Sequence, residues 1–517
     1  MKTIFKLTCF IILFTGCTNV LEEEIVSGIT ADQFYIDEAG IQDALTAGYA
    51  RLKHFYGQQE GYCLTNAGTD IYGAGRGDWL LQFHLYDATL NPSTKYLAPT
   101  WTNFYKAINI YNTVIGRAPE VIDDQQTLDT ILAEARFLRA FVYFQLVQIW
   151  GDVHLTLEET SGVELEANRT PVSEIFSTAI IPDLDFAMAN LSTDAEVGRA
   201  TVQAAKGIRA RVAMVQQDWA TAETLTKSLI NDYSFSLMDS YRELWSMDNE
   251  QNSETIWSIQ FSPDPLVSHE NGGVNYFTPW YTKNPGTSFN VKDGQTWVGY
   301  KPTSYFYSLW DKSMDRRYFE GLQNVYYDTP GAIEGDTIVY YSIDNLTDAE
   351  IAARPYTVYD VELLISDDSS WPQPTKVRDE SRPNFGVKAS RDLVMVRLAD
   401  IYLVLVEALF HQGKTDEAVT FMNTLRSIRA IDGQEAAMEI TIAELDLDFI
   451  LDERARELFA EGRRWFVLKR LGLLVDRVRQ HNIYGAADHI QEHHNLRPIP
   501  LEQIDRSGND YAQNPGY

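Results

Sequence analysis

Cysteine is scarce. The chain has three in 517 residues, Cys9, Cys17 and Cys63. Cys9 is expected to leave with a short N-terminal leader and Cys17 to be acylated, so Cys63 alone remains and no intramolecular disulfide is expected. A lone Cys of this kind reads as a small buried hydrophobe rather than a nucleophile. Cations are short as well: 43 Lys and Arg face 73 Asp and Glu, a formal net charge of −30. Such a charge repels nucleic acid and anionic lipid headgroups, and its ordinary role is solubility. Long apolar runs are missing after the leader, where nothing approaches the ~20 residues that a membrane-spanning helix requires.

Signatures of catalysis are missing too. There is no G-x-S-x-G, and no pair among the many carboxylates stands out by spacing as a glycosidase dyad. His489-Ile-Gln-Glu492-His493 matches H-x-x-E-H formally, but Gly485 and Asp488 before it and Asn495 and Pro498 after it disfavour the helix that zinc ligation needs. Glu502 is the sole later Glu, so the segment reads as a solvated loop. Gly73-Ala-Gly75-Arg-Gly77 is neither G-x-G-x-x-G nor a P-loop. It is expected to be a flexible loop from which Tyr72 and Trp79 project.

What is present begins with the leader. Lys2 and Lys6 precede the apolar stretch Leu7–Thr15, and Gly16-Cys17 stands at the cleavage position. The arrangement resembles a lipobox, with Phe14 bulkier than usual three residues before the Cys. Acylation of Cys17 would anchor the mature chain without a membrane-spanning helix. Glu22, Glu23 and Glu24 follow in a linker.

Helical periodicity dominates the rest. Thr30–Phe55 is expected as a first helix and Trp101–Ile115 as a second. The third, Ala133–Leu155 (AEARFLRAFVYFQLVQIWGDVHL), is apolar on nearly every side, which places it inside a bundle, and Gly151 is positioned to end it. Glu174–Leu191 is a fourth, with a kink or break expected at Pro182. Val202–Gln216 and Ala399–His411 each lead through a tight turn, at Gln217-Asp218 and Gly413-Lys414, into a second apolar face. Aligning Ala222 with Ala418 superposes these two hairpins without a gap. Short helix pairs crossing at Ala are the unit of a tetratricopeptide-like array. Leu447–Leu474 is expected as one last long helix, with Glu453–Arg456, and Glu457 or Glu461 with Arg464, forming a charged lattice along one side. Trp101, Trp150, Trp219 and Trp465 lie on helix faces and read as scaffold.

Between the helices the composition changes. Asn271–Tyr341 holds 17 aromatics in 71 residues, and the chain average is 12%. Thr337–Ile343 alternates like a strand, and Asp344–Lys388 is irregular. Long irregular stretches on a rigid scaffold usually carry function. A sugar ring binds a flat aromatic by its apolar C–H face, with polar side chains at the rim. Tyr72, Arg76, Asp78, Trp79, Tyr276, Trp280, Tyr281 and Trp297 are the candidate ligand-binding residues on that ground.

The leader at Cys17, the helix Glu134–Val153, E-R-A-R-E-L-F-A-E-G-R-R-W at Glu453–Trp465, and the ending L-R-P-I-P-L-E-Q-I with Q-N-P-G-Y at Leu496–Ile504 and Gln513–Tyr517 together resemble the SusD/RagB family. Val467 departs from the acidic residue usual after R-W-F, which puts only a local salt bridge in doubt. The resemblance implies a mainly α fold: a right-handed superhelix of four tetratricopeptide-like units with a loop-rich, minor-β ligand-binding face. It also implies a non-enzymatic, lipid-anchored outer-membrane protein of the cell surface, exported through the acidic cluster after Cys17. Such a protein captures oligosaccharides, or in some relatives peptides, for a SusC-like TonB-dependent transporter. No cofactor is implied. A surface glycoside hydrolase is the alternative from another class. The expected division is a signal peptide at 1–16, a linker at 17–29, an N-terminal helical region at 30–232, a variable ligand-binding region at 233–395 and a C-terminal helical region at 396–517.

Overall fold

The computed structural model describes residues 31–76, 81–162, 168–264, 271–328, 335–384, 389–508 and 511–517. The longer helices are α1 (Glu38–Leu52), α2 (Leu97–Val121), α3 (Gln125–Trp150), α4 (Ile181–Asn190), α5 (Val202–Val215), α6 (Trp219–Asn231), α7 (Leu398–His411), α8 (Thr415–Ile428), α9 (Leu447–Leu458), α10 (Arg464–Arg470) and α11 (Leu474–His481). The mainly α, tetratricopeptide-like class expected from the sequence is the one observed.

The core is built around α3. The Asp124 carboxylate accepts from the Thr127 N–H at 2.9 Å and caps its start. Gly151, at φ +76°, donates to the Val147 carbonyl at 3.0 Å and ends it. Phe137, Leu138, Phe141, Leu146, Ile149 and Trp150 are all buried. At roughly 1.5–3 kcal/mol for each large apolar side chain fully buried, this one helix holds a large share of the hydrophobic stabilisation. Arg139, also buried, is tied by two bonds of 2.8 and 2.9 Å to Asp183 of α4 and by one of 2.8 Å to Asn112 of α2.

Each helix from α1 to α8 packs on the next in chain order, giving an unbroken stack of four pairs. The hairpin turns follow the expected chemistry. Gln217 (φ +57°) and Gly413 (φ +73°) take left-handed conformations, and the Asp218 carboxylate caps α6. Ala210, Ala213, Ala222 and Ala408 meet between α5, α6 and α7, where small side chains let the helices approach. The stack closes across the insertion 232–397, because α7 lies directly on α6.

Three expectations change. The first helix begins at Glu38 under an Asp37 cap, after a separate turn Ala31–Phe34, rather than running unbroken from Thr30. The fourth is Val172–Ile175, a π turn Phe176–Ile180 and then α4; Pro182 falls in the first turn of the resumed helix, where its missing N–H breaks no bond. Leu447–Leu474 is not one helix. It breaks after Leu458, where Ala460 (φ +61°) and Gly462 (φ +70°) reverse the chain before α10. Only Glu453–Arg456 of the expected side lattice forms, at 2.9 Å; Arg464 instead binds Asp70 at 2.6 Å.

The insertion contributes short strands, β2 (Thr255–Ile259) with β9 (Leu393–Arg397), β4 (Leu322–Gln323) with β8 (Gln373–Pro374), and β5 (Val325–Tyr327), β6 (Thr337–Tyr341) and β7 (Thr357–Tyr359) in one sheet, and its β3 (Tyr300–Pro302) pairs with β1 (Tyr72–Ala74) of the N-terminal region. All pairs are antiparallel except β6–β7.

A buried ionic lattice roots the insertion in the helical frame. Glu457 of α9 binds Arg317 at 2.9 Å, Arg397 at 2.7 Å and Arg429 at 3.1 Å. Glu254, beside β2, binds Arg397 at 2.8 Å and Arg429 at 2.9 Å. Burial alone would raise the Glu457 pKa, but Arg429, Arg397 and Arg317 overcome it and hold the carboxyl well below the usual range. A depressed carboxyl contributes stability that is present above its unfolded value and lost as pH falls toward the folded one. Glu457→Gln is therefore expected to lower stability by about 3–5 kcal/mol near neutral pH, as for other broken buried pairs. The gap to the parent should narrow as pH falls below about 5, where the carboxylate of the unfolded chain begins to protonate while the folded one is still charged. Urea midpoints of both proteins across that range check it.

Candidate functional site

Four chain segments are laced together by backbone hydrogen bonds on the loop-rich face. Strand β1 pairs with β3 in the register Tyr72↔Pro302, Gly73↔Lys301 and Ala74↔Tyr300. The Gly75 N–H continues the ladder to the Gly299 carbonyl at 3.2 Å, and the Arg76 N–H reaches the Asp368 carbonyl at 2.9 Å. The Trp280 N–H donates to the Ser369 carbonyl at 2.7 Å, the Val298 N–H to Thr278 at 3.1 Å and the Gly299 N–H to Tyr276 at 3.0 Å. Segments 72–76, 276–281, 297–302 and 367–369 thus form one platform.

Tyr72–Ala74 form a strand that Gly75 extends, not the flexible loop expected of this Gly-rich stretch. Its glycines allow close approach: a Cβ at Gly73 would lie 2.4 Å from the Tyr484 ring, and one at Gly75 would lie 2.2 Å from the Val298 carbonyl oxygen. Gly77, Asp78 and Trp79 lie outside the described residues, as does Cys17.

The platform brings together Arg76, Trp280, Tyr276 and Trp297. The Arg76 guanidinium sits 5.0 Å from the Trp280 ring centroid, a cation–π contact that holds the half-buried indole. Trp297 is 36% exposed, donates through Nε1 to Gln295 at 2.9 Å, and its ring lies 5.0 Å from that of Tyr276. Tyr276 is 6% exposed, so it backs Trp297 rather than offering a face of its own.

Tyr72 and Tyr281 do not have the exposed rings expected of them. Tyr72 is 1% exposed and packs among Phe277, Tyr300 and Phe306. Tyr281, also 1% exposed, stacks on Tyr326 at 4.6 Å, and its hydroxyl accepts from the Asn290 N–H at 3.0 Å. Neither presents a ring face to a ligand in this conformation. Both are floor.

Sequence reasoning missed the polar rim. Lys283 forms an ion pair with Asp367, donates to Ser369 Oγ at 2.8 Å and lies 5.3 Å from the Tyr359 ring. Burial would raise the Asp367 carboxyl, but Lys283 and Ser369 outweigh it and lower it. Trp371, fully buried, donates to the Phe277 carbonyl at 3.0 Å beneath the platform. The only local cue was the Asp367-Asp368-Ser369 turn sequence, which gives no partner.

The other motifs resolve plainly. His489 ends a four-residue helix and His493 lies in the following 3₁₀ turn, so they do not share one helix face. Cys63 is fully exposed to nothing but protein, and burial pushes its thiol up. Trp101, Trp150 and Trp465 are buried scaffold residues, and Trp219 stacks on His411 at 4.3 Å.

A stacked-hairpin frame presenting an aromatic, polar-rimmed platform defines a binding protein by its architecture. The chain belongs to the SusD family: the model described as "SusD family" matches residues 253–517, and one described as "Starch-binding associating with outer membrane" matches residues 37–214. It is similar to SusD-like protein P25 of Formosa agariphila, 25% identical over 95% of this chain and 94% of that one. It is 26% identical to the starch-binding protein SusD of Bacteroides thetaiotaomicron over 79% of this chain and 76% of the other. Among solved structures, a SusD homolog from Bacteroides thetaiotaomicron superposes with a TM-score of 0.73 at 21% identity, covering 94% of this chain and 99% of that one. A laminarin-binding SusD-like protein does so with 0.71 at 21% identity, covering 93% and 100%. The family is one of outer-membrane-associated binding proteins, and this chain is not an enzyme.

The close approach at Gly75 is testable. Gly75→Ala places a methyl group against the Val298 carbonyl and the Trp371 ring, and should cost about 1–3 kcal/mol, the usual range for overpacking. The measurement is the shift in urea midpoint; an unchanged midpoint would show that the ladder yields freely.

Proposed function

We propose that this chain captures an oligosaccharide at the cell surface and delivers it to a SusC-like TonB-dependent transporter. The observation that carries the reading is the exposed face of Trp297 together with the half-buried Trp280 braced by Arg76, both on one rigid platform. Indole faces supply apolar area to the C–H face of a pyranose. Arg76, Lys283, Asp367 and Gln295 supply rim groups for its hydroxyls. Asp78 and Trp79 follow Arg76 in the chain after Gly77 and complete the proposed set, with Tyr276 as backing. Relatives and structural neighbours support a glycan: one is named for binding starch, one for binding laminarin, and one from Bacteroides fluxus is a surface glycan-binding protein. The proposed domain division assigns this platform to the variable region 233–395, completed by 72–79 from the N-terminal region.

The test is affinity electrophoresis of the full chain through gels containing candidate polysaccharides. Trp280→Ala and Trp297→Ala should each weaken retention by about 5–30-fold, the equivalent of roughly 1–2 kcal/mol per aromatic anchor, with helical circular dichroism unchanged. Retention unaffected by both changes, or retention by peptide rather than glycan gels, would sink the assignment.

The lipid anchor is part of the same reading. Acylated Cys17 would hold the platform at the outer membrane, with the acidic residues Glu22, Glu23 and Glu24 directing surface export. In the native cell, Cys17→Ala should move the protein from the membrane fraction to the soluble fraction. A membrane-bound variant would remove the anchor from the account.

A further inference from the structure

We propose that the helical frame contains a binding site for a small oxyanion (sulfate, phosphate or a carboxylate group), separate from the aromatic platform. The site is a chamber of about 60 Å³ enclosed by α3, α5, α7, α9 and α10. That is several times the ~10–15 Å³ that one water needs. Arg211, Arg454, Arg463 and Arg470 line it, with Asp400 as the lining carboxylate.

The charges do not balance. Asp400 pairs with Arg211 and stands 3.6 Å from Arg454. Glu407, behind the wall and fully buried, pairs with Arg470 at 2.6 Å and lies 3.0 Å from Arg454. Four guanidinium groups therefore share two carboxylates. Arg463 donates only to the Met395 carbonyl, and the next acid, Glu461, is already held by Arg397 at 2.8 Å and Lys376 at 2.7 Å. Arg454 is 4% exposed; its Nε faces Glu407 at 3.0 Å, and its Nη2 makes no hydrogen bond. Burial and the neighbouring Arg211 lower Arg463 to about 10.

In a chain of net charge −30, four guanidinium groups on two carboxylates, Arg454 buried and the other three half-buried, form a local excess of cations that a counter-charge would balance. A guanidinium presents its donors as a planar fork matched to two oxygens, so an oxyanion satisfies Arg454 and Arg463 where chloride would meet only their charge. A larger cavity of about 610 Å³ shares Gln148, Val215, Phe466 and Arg470 with the chamber and adds Arg169 and Lys469. Asp152 also lines it and burial lowers Lys469 to about 7, so it is not uniformly cationic, but it would accommodate the body of a molecule whose acid group occupies the chamber.

The experiment uses the full chain, melted at constant ionic strength while chloride is replaced by sulfate, phosphate, acetate or galacturonate. The parent should show a saturable rise in Tm with at least one of these. Galacturonate active where acetate is not would assign the site to a sugar acid rather than a free ion. Arg463→Gln, a half-buried position with a single backbone partner, should weaken the response roughly tenfold, the loss of one charge-assisted hydrogen bond. Crystals soaked in selenate should show an anomalous peak against Arg454. A response that never saturates and is equal in Arg463→Gln, or an empty chamber in the selenate map, would overturn the site.

Discussion

The structure depends on the carboxylate of Glu457 being reached by three arginines from three directions. Arg397 arrives from the end of β9, Arg429 from the end of α8, and Arg317 from a short helix inside the insertion. Lone buried charges are prohibitively costly, and a buried pair is often no more stable than an apolar one of the same volume. What such a lattice contributes is geometry. Arg397 must sit where it can reach Glu254, Glu457 and Glu461 together, and that requirement sets the position at which the insertion re-enters the frame. The β2–β9 pairing stands on the same spot, because Thr255 pairs with Arg397 itself. The variable face is thereby clamped at its root, and its loops can differ in length without disturbing the stacked helices.

That clamp explains how long irregular segments hold a rigid platform. The insertion has little regular sheet, but aromatic rings give it an interior continuous with that of the helices. Tyr72, Phe277, Tyr300 and Phe306 pack edge to face and face to face, with Phe306 5.5 Å from Phe459 at the end of α9. Large rings bury much area at the cost of few rotatable bonds, so a modest number of them replaces a conventional core. The high aromatic content thus has two roles. Most of these rings are structural, and Trp280 and Trp297 remain at the surface because the strands beneath them are already filled.

The sequence was most legible where one local rule decides the outcome. The 3.6-residue pattern located the helix pairs, Ala222 and Ala418 marked the matching crossings, and Gly151 ended α3. It was least legible where the partner is distant. Glu457 and Arg464 are close in sequence and look like a surface pair, yet Arg464 belongs to Asp70 and Glu457 to three other arginines. The break at Ala460 and Gly462 followed the same blindness. That turn is required for Glu461 to reach Lys376 and Arg397, and neither lies near it in the chain. At the platform the difficulty was one of alternation: Trp280 and Tyr281 are neighbours, but one faces outward and the other stacks on Tyr326. Composition could show that the rings cluster. It could not show which of them face solvent.

The central helix, the E-G-R-R-W stretch and the C-terminal ending, three of the segments that carried the family resemblance, converge in space, which accounts for their joint occurrence in one chain. The end of α3 meets the C-terminal segment: the Arg497 N–H donates to the Ile149 carbonyl at 2.8 Å, Trp150 Nε1 to Pro498 at 3.0 Å, and Asn514 Nδ2 to the Trp150 carbonyl at 2.9 Å. Arg497 is fully buried, and none of its side-chain nitrogens makes a hydrogen bond. Its guanidinium lies 4.7 Å from the Trp465 ring, 5.4 Å from Tyr86 and 5.5 Å from Phe83. Ring quadrupoles stand in for a carboxylate there, and a desolvated cation–π contact is worth about 2 kcal/mol or more. Trp465 belongs to the E-G-R-R-W stretch and Arg497 to L-R-P-I-P, so neither motif has its structural meaning without the other. The central helix, the turn into α10 and the C-terminal tail form one joint, and the frame that carries the platform is closed by it.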